Sequence, residues 1–310
     1  MTNMNEKKSF KARAVKDFRR NKWKYFIVIP VIVYLIIFSY KPMYGVIIAF
    51  MRYKPHLGIM GSKWIGLQNF KSMFSDMYFL RGLKNTLSIN VLSLIFDFPA
   101  AVLLALMLNE VRSSKIKRTV QTITYMPHFI SSMVICGMVI SFTQTTGLFN
   151  DIIEFFGGER SNLLIQPKNF YPIYIGTQIW QTTGWDTIIY LAALAGVDQE
   201  QYEAATVDGA KRIQLMWYIT LPSIVPVISM LLILKMGRML SVGYEKILLL
   251  YQPATYEVAD VISTYAYRRG IVQADYSYST AVSLFNSLVN IILLRLSNKL
   301  SKKLGQSGLF

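Results

Sequence analysis

Apolar residues along the chain gather into runs of roughly 18 to 25 residues, the length of α-helix that crosses a hydrocarbon core about 30 Å thick. Short polar, basic or glycine-bearing intervals separate the runs, and the pattern predicts six spans, at 25–50, 85–108, 120–142, 171–197, 217–240 and 279–296. The first should kink near Pro42, which removes a helix hydrogen bond. The long segment 51–81 carries Gly58, Gly61 and Gly66 and an amphipathic stretch, NFKSMFSDMYFL, that reads as a short interfacial helix. The ten-residue alternation of a membrane β-barrel is absent. The expected fold class is an all-α polytopic membrane protein with a basic arm (1–24), a first span and outer segment (25–81), a core of five helices (82–297) and a tail (298–310).

Composition agrees. Of 310 residues, 53% are apolar and 14% aromatic, and the mean hydropathy is +0.35, too high for an ordinary soluble domain. The net charge of +16 would suggest nucleic acid in a soluble protein. Here the cations flank the spans, where they set topology, and no nucleic-acid motif accompanies them. Nineteen of the 33 basic residues fall in segments placed inside and eleven in segments placed outside. Both termini and the interval 198–216 are therefore expected on the cytoplasmic side. The basic arm precedes a long apolar run without a small-residue cleavage site, so it reads as a retained first span. Cys136, the one cysteine, excludes an intrachain disulfide and a thiolate cluster. His56 and His128 stand alone in sequence, so no metal site is expected. No G-x-x-x-x-G-K-[ST] loop is present, so any nucleotide would be bound by another chain.

The interval between the fourth and fifth runs is polar, charged and glycine-bearing. Asp198 suits an N-cap, with Gln201 three residues on as capping-box partner. A helix can then run from Gln199 to about Val207 and end near Gly209, a natural left-handed C′ residue. Lys211 and Arg212 open a second amphipathic turn, and Pro222 and Pro226 should bend the next helix. The product is a helix–turn–helix exposing Glu203 beside the small Ala204 and Ala205, which would let another backbone approach closely.

Glu203-Ala204-Ala205, three residues, Gly209, nine residues, Ile219, one residue and Leu221-Pro222 reproduce an EAA-x3-G-x9-I-x-L-P signature. By it the chain resembles the permease subunits of binding-protein-dependent ABC importers of the type I fold. WIGLQNF (64–70), LKNT (83–86), GWDTIIYLAALAGVD, GYEKILLLYQP, DVISTYAYRRG and YSTAVSLFNS are similar to the carbohydrate-uptake branch that imports oligosaccharides and complex glycans in Gram-positive bacteria. The resemblance implies six transmembrane helices with a cytoplasmic coupling helix, in which Glu203, Ala204, Ala205, Asp208, Gly209, Leu221 and Pro222 dock on a separate ATPase. It further implies two such ATP-binding subunits holding ATP and magnesium, no cofactor in this chain, a second homologous permease, a lipidated extracellular solute-binding protein, an oligosaccharide cargo and a place in the cytoplasmic membrane.

Asp97, Asp186, Lys235 and Arg238 fall within predicted spans, where an unpaired charge costs at least about 2.5–3.5 kcal/mol and so faces a partner or a watery cavity. Gln178, Trp180, Gln181, Trp185, Asp186 and Tyr190 place hydrogen-bonding groups among aromatic rings, which is what a sugar-binding path needs. Tyr244, Glu245 and Asn286 are further path candidates. Thr and Gln can equally glue helices, Lys235 and Arg238 can pair with Asp97 or Asp186, and Asn286 with Asn290 can zip one helix to another. A membrane-embedded glycosyl- or lipid-transferase would need clustered catalytic acids or a metal site, and a secondary transporter would need inverted repeats. Neither pattern is visible.

Overall fold

The computed structural model describes residues 17, 18, 20–305, 308 and 309. Most of the expected basic arm, and Gln306, Ser307 and Phe310 of the tail, lie outside them. The chain divides into two compact units, 1–66 and 67–310.

In the first unit, α1 (Lys22–Leu35) continues through a π turn (Ile36–Tyr40), one α-turn (Lys41–Met43) and a 3₁₀ run (Tyr44–Phe50). The irregularity expected at Pro42 thus takes the form of a widened turn just ahead of the proline, where a backbone donor is missing. No residue of α1 is buried, an arrangement suited to lipid rather than water. A two-residue ladder comes next, β1 (Met51–Arg52) pairing antiparallel with β2 (Lys63–Trp64). The Trp64 ring stacks on Phe50 at 5.8 Å.

The second unit opens with α2 (Gln68–Ser75), the short helix expected from NFKSMF. Asp76 caps α3 (Met77–Ile95), which runs through Phe96 into α4 (Asp97–Glu110). Then come α5 (Ser114–Tyr125), a 3₁₀ turn (Met126–Phe129), α6 (Ser132–Thr143) and α7 (Leu148–Phe155). The expected third span, 120–142, is therefore not one helix. Pro127 withdraws a donor, Ile130 goes extended, and Ser131 starts afresh as N-cap of α6, accepting the Val134 N–H at 3.4 Å.

The 28-residue α8 (Pro167–Leu194) is about 42 Å long. It leads to α9 (Gln199–Val207), α10 (Arg212–Leu215), a π turn (Met216–Thr220) and α11 (Leu221–Met236). The chain closes with α12 (Tyr244–Leu250), α13 (Ile262–Tyr267) and α14 (Tyr276–Lys303). Among the described residues, five helical stretches are long and apolar enough to cross a membrane: Lys22–Phe50, Met77–Glu110, Ser132–Phe155, Arg212–Met236 and Tyr276–Lys303. The fourth expected span, α8, is at least as long as three of these, but its Gln, Thr, Asp and Tyr residues dilute its hydropathy.

That polar helix is the hub of the core. Of its nine buried residues, all but Ile175 (Phe170, Tyr174, Thr177, Gln181, Gly184, Thr187, Tyr190 and Leu194) recur every three or four positions, the period of one helix face. Tyr190 and Leu194 pack with Ala101, Val102, Ala105 and Leu106 of α4 and Ile224 of α11. Gly184 lets the α5 backbone come close, since a Cβ there would stand 2.1 Å from the Thr124 carbonyl oxygen. At the other end of α8, Asn85 donates to the carbonyls of Glu257 and Asp260 at 3.0 and 2.9 Å and accepts from Tyr171 at 3.1 Å. Thr86 accepts the Ile262 N–H at 3.0 Å. The LKNT stretch is thus a staple that holds the segment ahead of α13 onto α3.

Candidate functional site

The exposed loop builds from local rules. Asp198 accepts the Glu200 N–H at 3.0 Å and starts α9. At the far end Gly209 sits at φ +84°, and the paired bonds Gly209 N–H to Thr206 O (3.0 Å) and Ala210 N–H to Ala205 O (2.9 Å) close a Schellman turn. Gln214 then accepts the Lys211 N–H at 2.7 Å and begins α10. The capping role expected of Gln201 is not seen among the described hydrogen bonds, and Asp198 caps alone. No residue of α9 is buried, and Glu203, Ala204, Asp208 and Gly209 are all exposed. One side-chain bond fastens α9 to the turn ahead of α11: the Tyr202 hydroxyl lies 3.0 Å from that of Thr220. Thr220 is fully buried in the π turn that leads into Leu221, Pro222 and α11.

From that turn α11 climbs beside α8 and α4, and these helices with α3 line a cavity of about 470 Å³. Asp97, Gln178, Thr182, Asp186, Lys235 and Arg238 supply its charged and amide-bearing wall, and Tyr190 part of the rest. Asp97 is 4% exposed and fully engaged. Lys235 Nζ donates to its Oδ2 at 2.7 Å, Ser93 to the same oxygen at 3.1 Å, and Thr182 to Oδ1 at 3.1 Å. Three donors on α3, α8 and α11 thus converge on one carboxylate of α4, as a charge at bilayer depth requires.

A second cavity of about 300 Å³ shares Asn90, Ser93, Gln178 and Ser241 with the first and extends it to Glu245 and Lys246 of α12. Lys246 Nζ donates to Gln178 Oε1 at 2.6 Å, so the boundary between the two cavities is itself hydrogen-bonded.

Gln178, Asp186, Tyr190 and Glu245 therefore line one connected polar space. Other candidates stand elsewhere. Trp180, two positions from Gln178, points to the opposite side of α8 and lines an apolar groove with Ile135, Met138, Phe142 and Phe149. Gln181 turns toward the 3₁₀ turn and donates to the Ile130 carbonyl at 3.3 Å. Trp185 lies parallel to the His128 ring at 4.4 Å. Tyr244 stacks on Tyr267 at 6.0 Å and, with Asn286, borders a separate cavity of about 270 Å³. Asn290, one turn on, accepts the Leu240 N–H at 2.9 Å and donates to Ser241, joining α14 to the end of α11.

Two residues of the connected space are not apparent from sequence. Thr182 is one of several polar groups in its span, and nothing local marks its tie to Asp97. Lys246 falls in a segment expected outside, although the ILLL immediately after it signals burial. Outside the spans, burial opposes the charge on Asp76, but hydrogen bonds from Tyr265, the Tyr78 N–H and Tyr278 outweigh it and hold that carboxyl below the usual carboxylate range. Among the described residues no group of three or more metal-binding side chains occurs.

Residues 97–306 match the model of the family described as binding-protein-dependent transport system inner membrane component. The permease protein YteP of the polygalacturonan/rhamnogalacturonan transport system of Bacillus subtilis (strain 168) is 45% identical over 98% of this chain and 95% of its own length. Protein LplB of the same organism is 47% identical over 94% of this chain and 92% of its own. In the crystal structure of a bacterial ABC transporter involved in the import of the acidic polysaccharide alginate, one chain superposes with a TM-score of 0.88 at 44% identity, covering 94% of this chain and 99% of that one. A second structure of a bacterial alginate ABC transporter, in complex with alginate pentasaccharide-bound periplasmic protein, gives 0.87 at 43% identity over 95% and 99%. With its polar cavity, its exposed EAA loop and these relatives, the chain belongs to the binding-protein-dependent ABC importer permeases, a membrane subunit of the type I fold serving carbohydrate import.

Proposed function

We propose that this permease forms half of the path for an acidic oligosaccharide handed over by an extracellular solute-binding protein, and that the loop 198–216 couples the path to a separate ATPase. The observation that carries the coupling is the exposed loop, with Glu203, Ala204 and Ala205 on α9 and Gly209 in the turn that ends it, hydrogen-bonded through Tyr202 to the turn that leads into a helix walling the cavity. In this reading a second, similar permease completes the path, and two ATP-binding subunits hold ATP and magnesium while this chain holds no cofactor. ATP binding closes the two ATPases, each drags its coupling helix, and the spans rock from inward-open to outward-open. Energy enters only through differential binding of partners to the two states. Acidity of the cargo is suggested by the relatives, whose names specify polygalacturonan/rhamnogalacturonan and alginate. The connected cavities offer hydrogen-bonding groups for its hydroxyls. The protein sits in the cytoplasmic membrane of a Gram-positive bacterium with both termini inside.

Replacing Glu203 by Lys, or Gly209 by Val, tests the coupling in cells expressing the whole transporter. Uptake and ATPase co-purification should both fall to background while the permease still inserts in the membrane. Normal uptake in both variants would sink the assignment.

A further inference from the structure

The connected cavities carry three acidic and three basic side chains, Asp97, Asp186 and Glu245 against Lys235, Arg238 and Lys246, but among the described residues only Asp97 and Lys235 of these form an ion pair. Asp97 is already engaged by Lys235, Ser93 and Thr182. Arg238 comes three residues after Lys235, nearly one helical turn, and lines the same cavity. Among the described residues no carboxylate lies within salt-bridge distance of it; Lys235, Arg268 and Arg269 take theirs from Asp97, Asp260 and Asp275. The guanidinium keeps its charge at any physiological pH and presents a planar fork of donors matched to a carboxylate. Asp186 shares the cavity without pairing to it and leaves acceptor oxygens for sugar hydroxyls. In the adjoining cavity Lys246 directs one of its three donors to a neutral amide, Gln178. The connected path thus holds Arg238, exposed and without an ion-pair partner among the described residues, and Lys246, whose described hydrogen bond goes to an amide.

We infer that Arg238 is the specificity-determining residue that receives a uronate carboxylate of the cargo, with Lys246 as a second contact further along the path. The inference rests on the importer reading above and adds which atoms tell an acidic saccharide from a neutral one. A bidentate Arg–carboxylate contact is roughly twice as strong as a neutral hydrogen bond and rejects an uncharged analogue through the unpaired cation it leaves. Asp186 sharpens the choice, since it repels a carboxylate misplaced toward α8.

The test uses the complete transporter in proteoliposomes with its binding protein, and two cargoes of equal length: a galacturonate trisaccharide and its methyl ester, which lacks the charges. Arg238→Gln should cut uptake of the acid roughly tenfold to a hundredfold, as expected for losing a charge-assisted contact, and change uptake of the ester less than about twofold. Arg238→Lys should restore part of the acid uptake, and Lys246→Met should lower it by a smaller factor. Equal loss of both cargoes in Arg238→Gln, or loss of the second permease from the purified complex, would make Arg238 a structural or inter-subunit contact and overturn the inference. Undiminished acid uptake would overturn it too. A wild-type transporter that carries the ester but never the acid removes this assignment and leaves the importer reading standing; a wild-type permease that brings down no ATPase removes the importer reading itself.

Discussion

The loop 198–216 and the cavity beside α8 are joined by α11, yet they are built in opposite ways. In the loop, α9 buries no residue, and its ends are finished by one carboxylate cap and one Schellman turn. The bonds that cap it lie within a dozen residues of sequence. In the cavity, Asp97 is buried and draws donors from residues 4, 85 and 138 positions away. The loop is an exposed surface, which on the proposed reading is where the ATPase docks. The cavity wall is an interior whose one buried carboxylate, Asp97, is paired with Lys235. A transport subunit needs both: a handle exposed enough to be grasped, and a lining rigid enough that moving α11 moves the site with it.

The largest test of that contrast falls on the wall. Asp97→Ala leaves Lys235 without its partner at bilayer depth and should cost on the order of 3–5 kcal/mol, read as a loss of folded transporter in detergent melts. Removing both charges, as Asp97→Asn with Lys235→Met, should recover much of that loss, because a neutral pair of similar volume avoids the buried charge. Recovery of stability without recovery of uptake would show that the pair also shapes the path. A melt unchanged in Asp97→Ala would mean that the pair is no structural tie.

Next in size comes the close approach behind the cavity. A Cβ at residue 184 would lie 2.1 Å from the Thr124 carbonyl oxygen, a backbone atom that cannot swing aside. Gly184→Val should therefore push α5 from α8 at a cost of about 1–3 kcal/mol. Gly209→Val in the loop meets no neighbour, and its only cost is a left-handed backbone, about 1–2 kcal/mol. The prediction is a split: Gly184→Val lowers the melting temperature more, while Gly209→Val lowers uptake more at nearly wild-type stability.

The same contrast explains what is legible in the sequence alone. The capping of α9 by Asp198, its end at Gly209 and the signature spacing depend on neighbours along the chain, and all can be read there. The rotation of α8 cannot. Its polar residues occur all around the helix, so only the positions of α4, α5 and α11 decide that Gln178 and Asp186 face the cavity while Trp180 and Trp185 do not. The break at Pro127 is hidden inside an apolar run whose hydropathy stays high on both sides. The pairing of Lys235 with Asp97 over Asp186 is likewise a matter of helix rotation, since in sequence either carboxylate stands open to it.

A smaller effect is expected outside the spans. The Asp76 carboxyl, held below the usual carboxylate range by Tyr265, the Tyr78 N–H and Tyr278 against the opposing effect of burial, fastens α3 to α13 and α14. A carboxylate depressed in the folded state contributes stability above its unfolded value, and the contribution disappears as pH falls through the lower folded value. Protection of the amides in 262–267 against hydrogen exchange, taken relative to the intrinsic rate at each pH, should therefore fall below about pH 4, and Asp76→Asn should show the lower protection at neutral pH as well. A protection factor unchanged down to the acid limit would contradict the assignment.

The smallest perturbation addresses the joint between the two regions. Tyr202 and Thr220 share one hydrogen bond, worth about 0.5–1.5 kcal/mol net. Thr220 also donates to the Leu215 carbonyl at 3.3 Å, so its hydroxyl sits between α9 and the π turn. Tyr202→Phe removes the bond and keeps the ring, and a change of this size will barely move a melting curve. If the bond carries movement from α9 into α11, the number of ATP molecules hydrolysed per sugar transported should rise while ATPase binding stays intact. If it only props α9 in place, the ratio stays at the wild-type value and binding weakens instead. Thr220→Val separates the two further, because it also releases the Leu215 carbonyl in the π turn. A higher ratio in both variants would locate the transmission in that turn, where the helix widens just before Pro222.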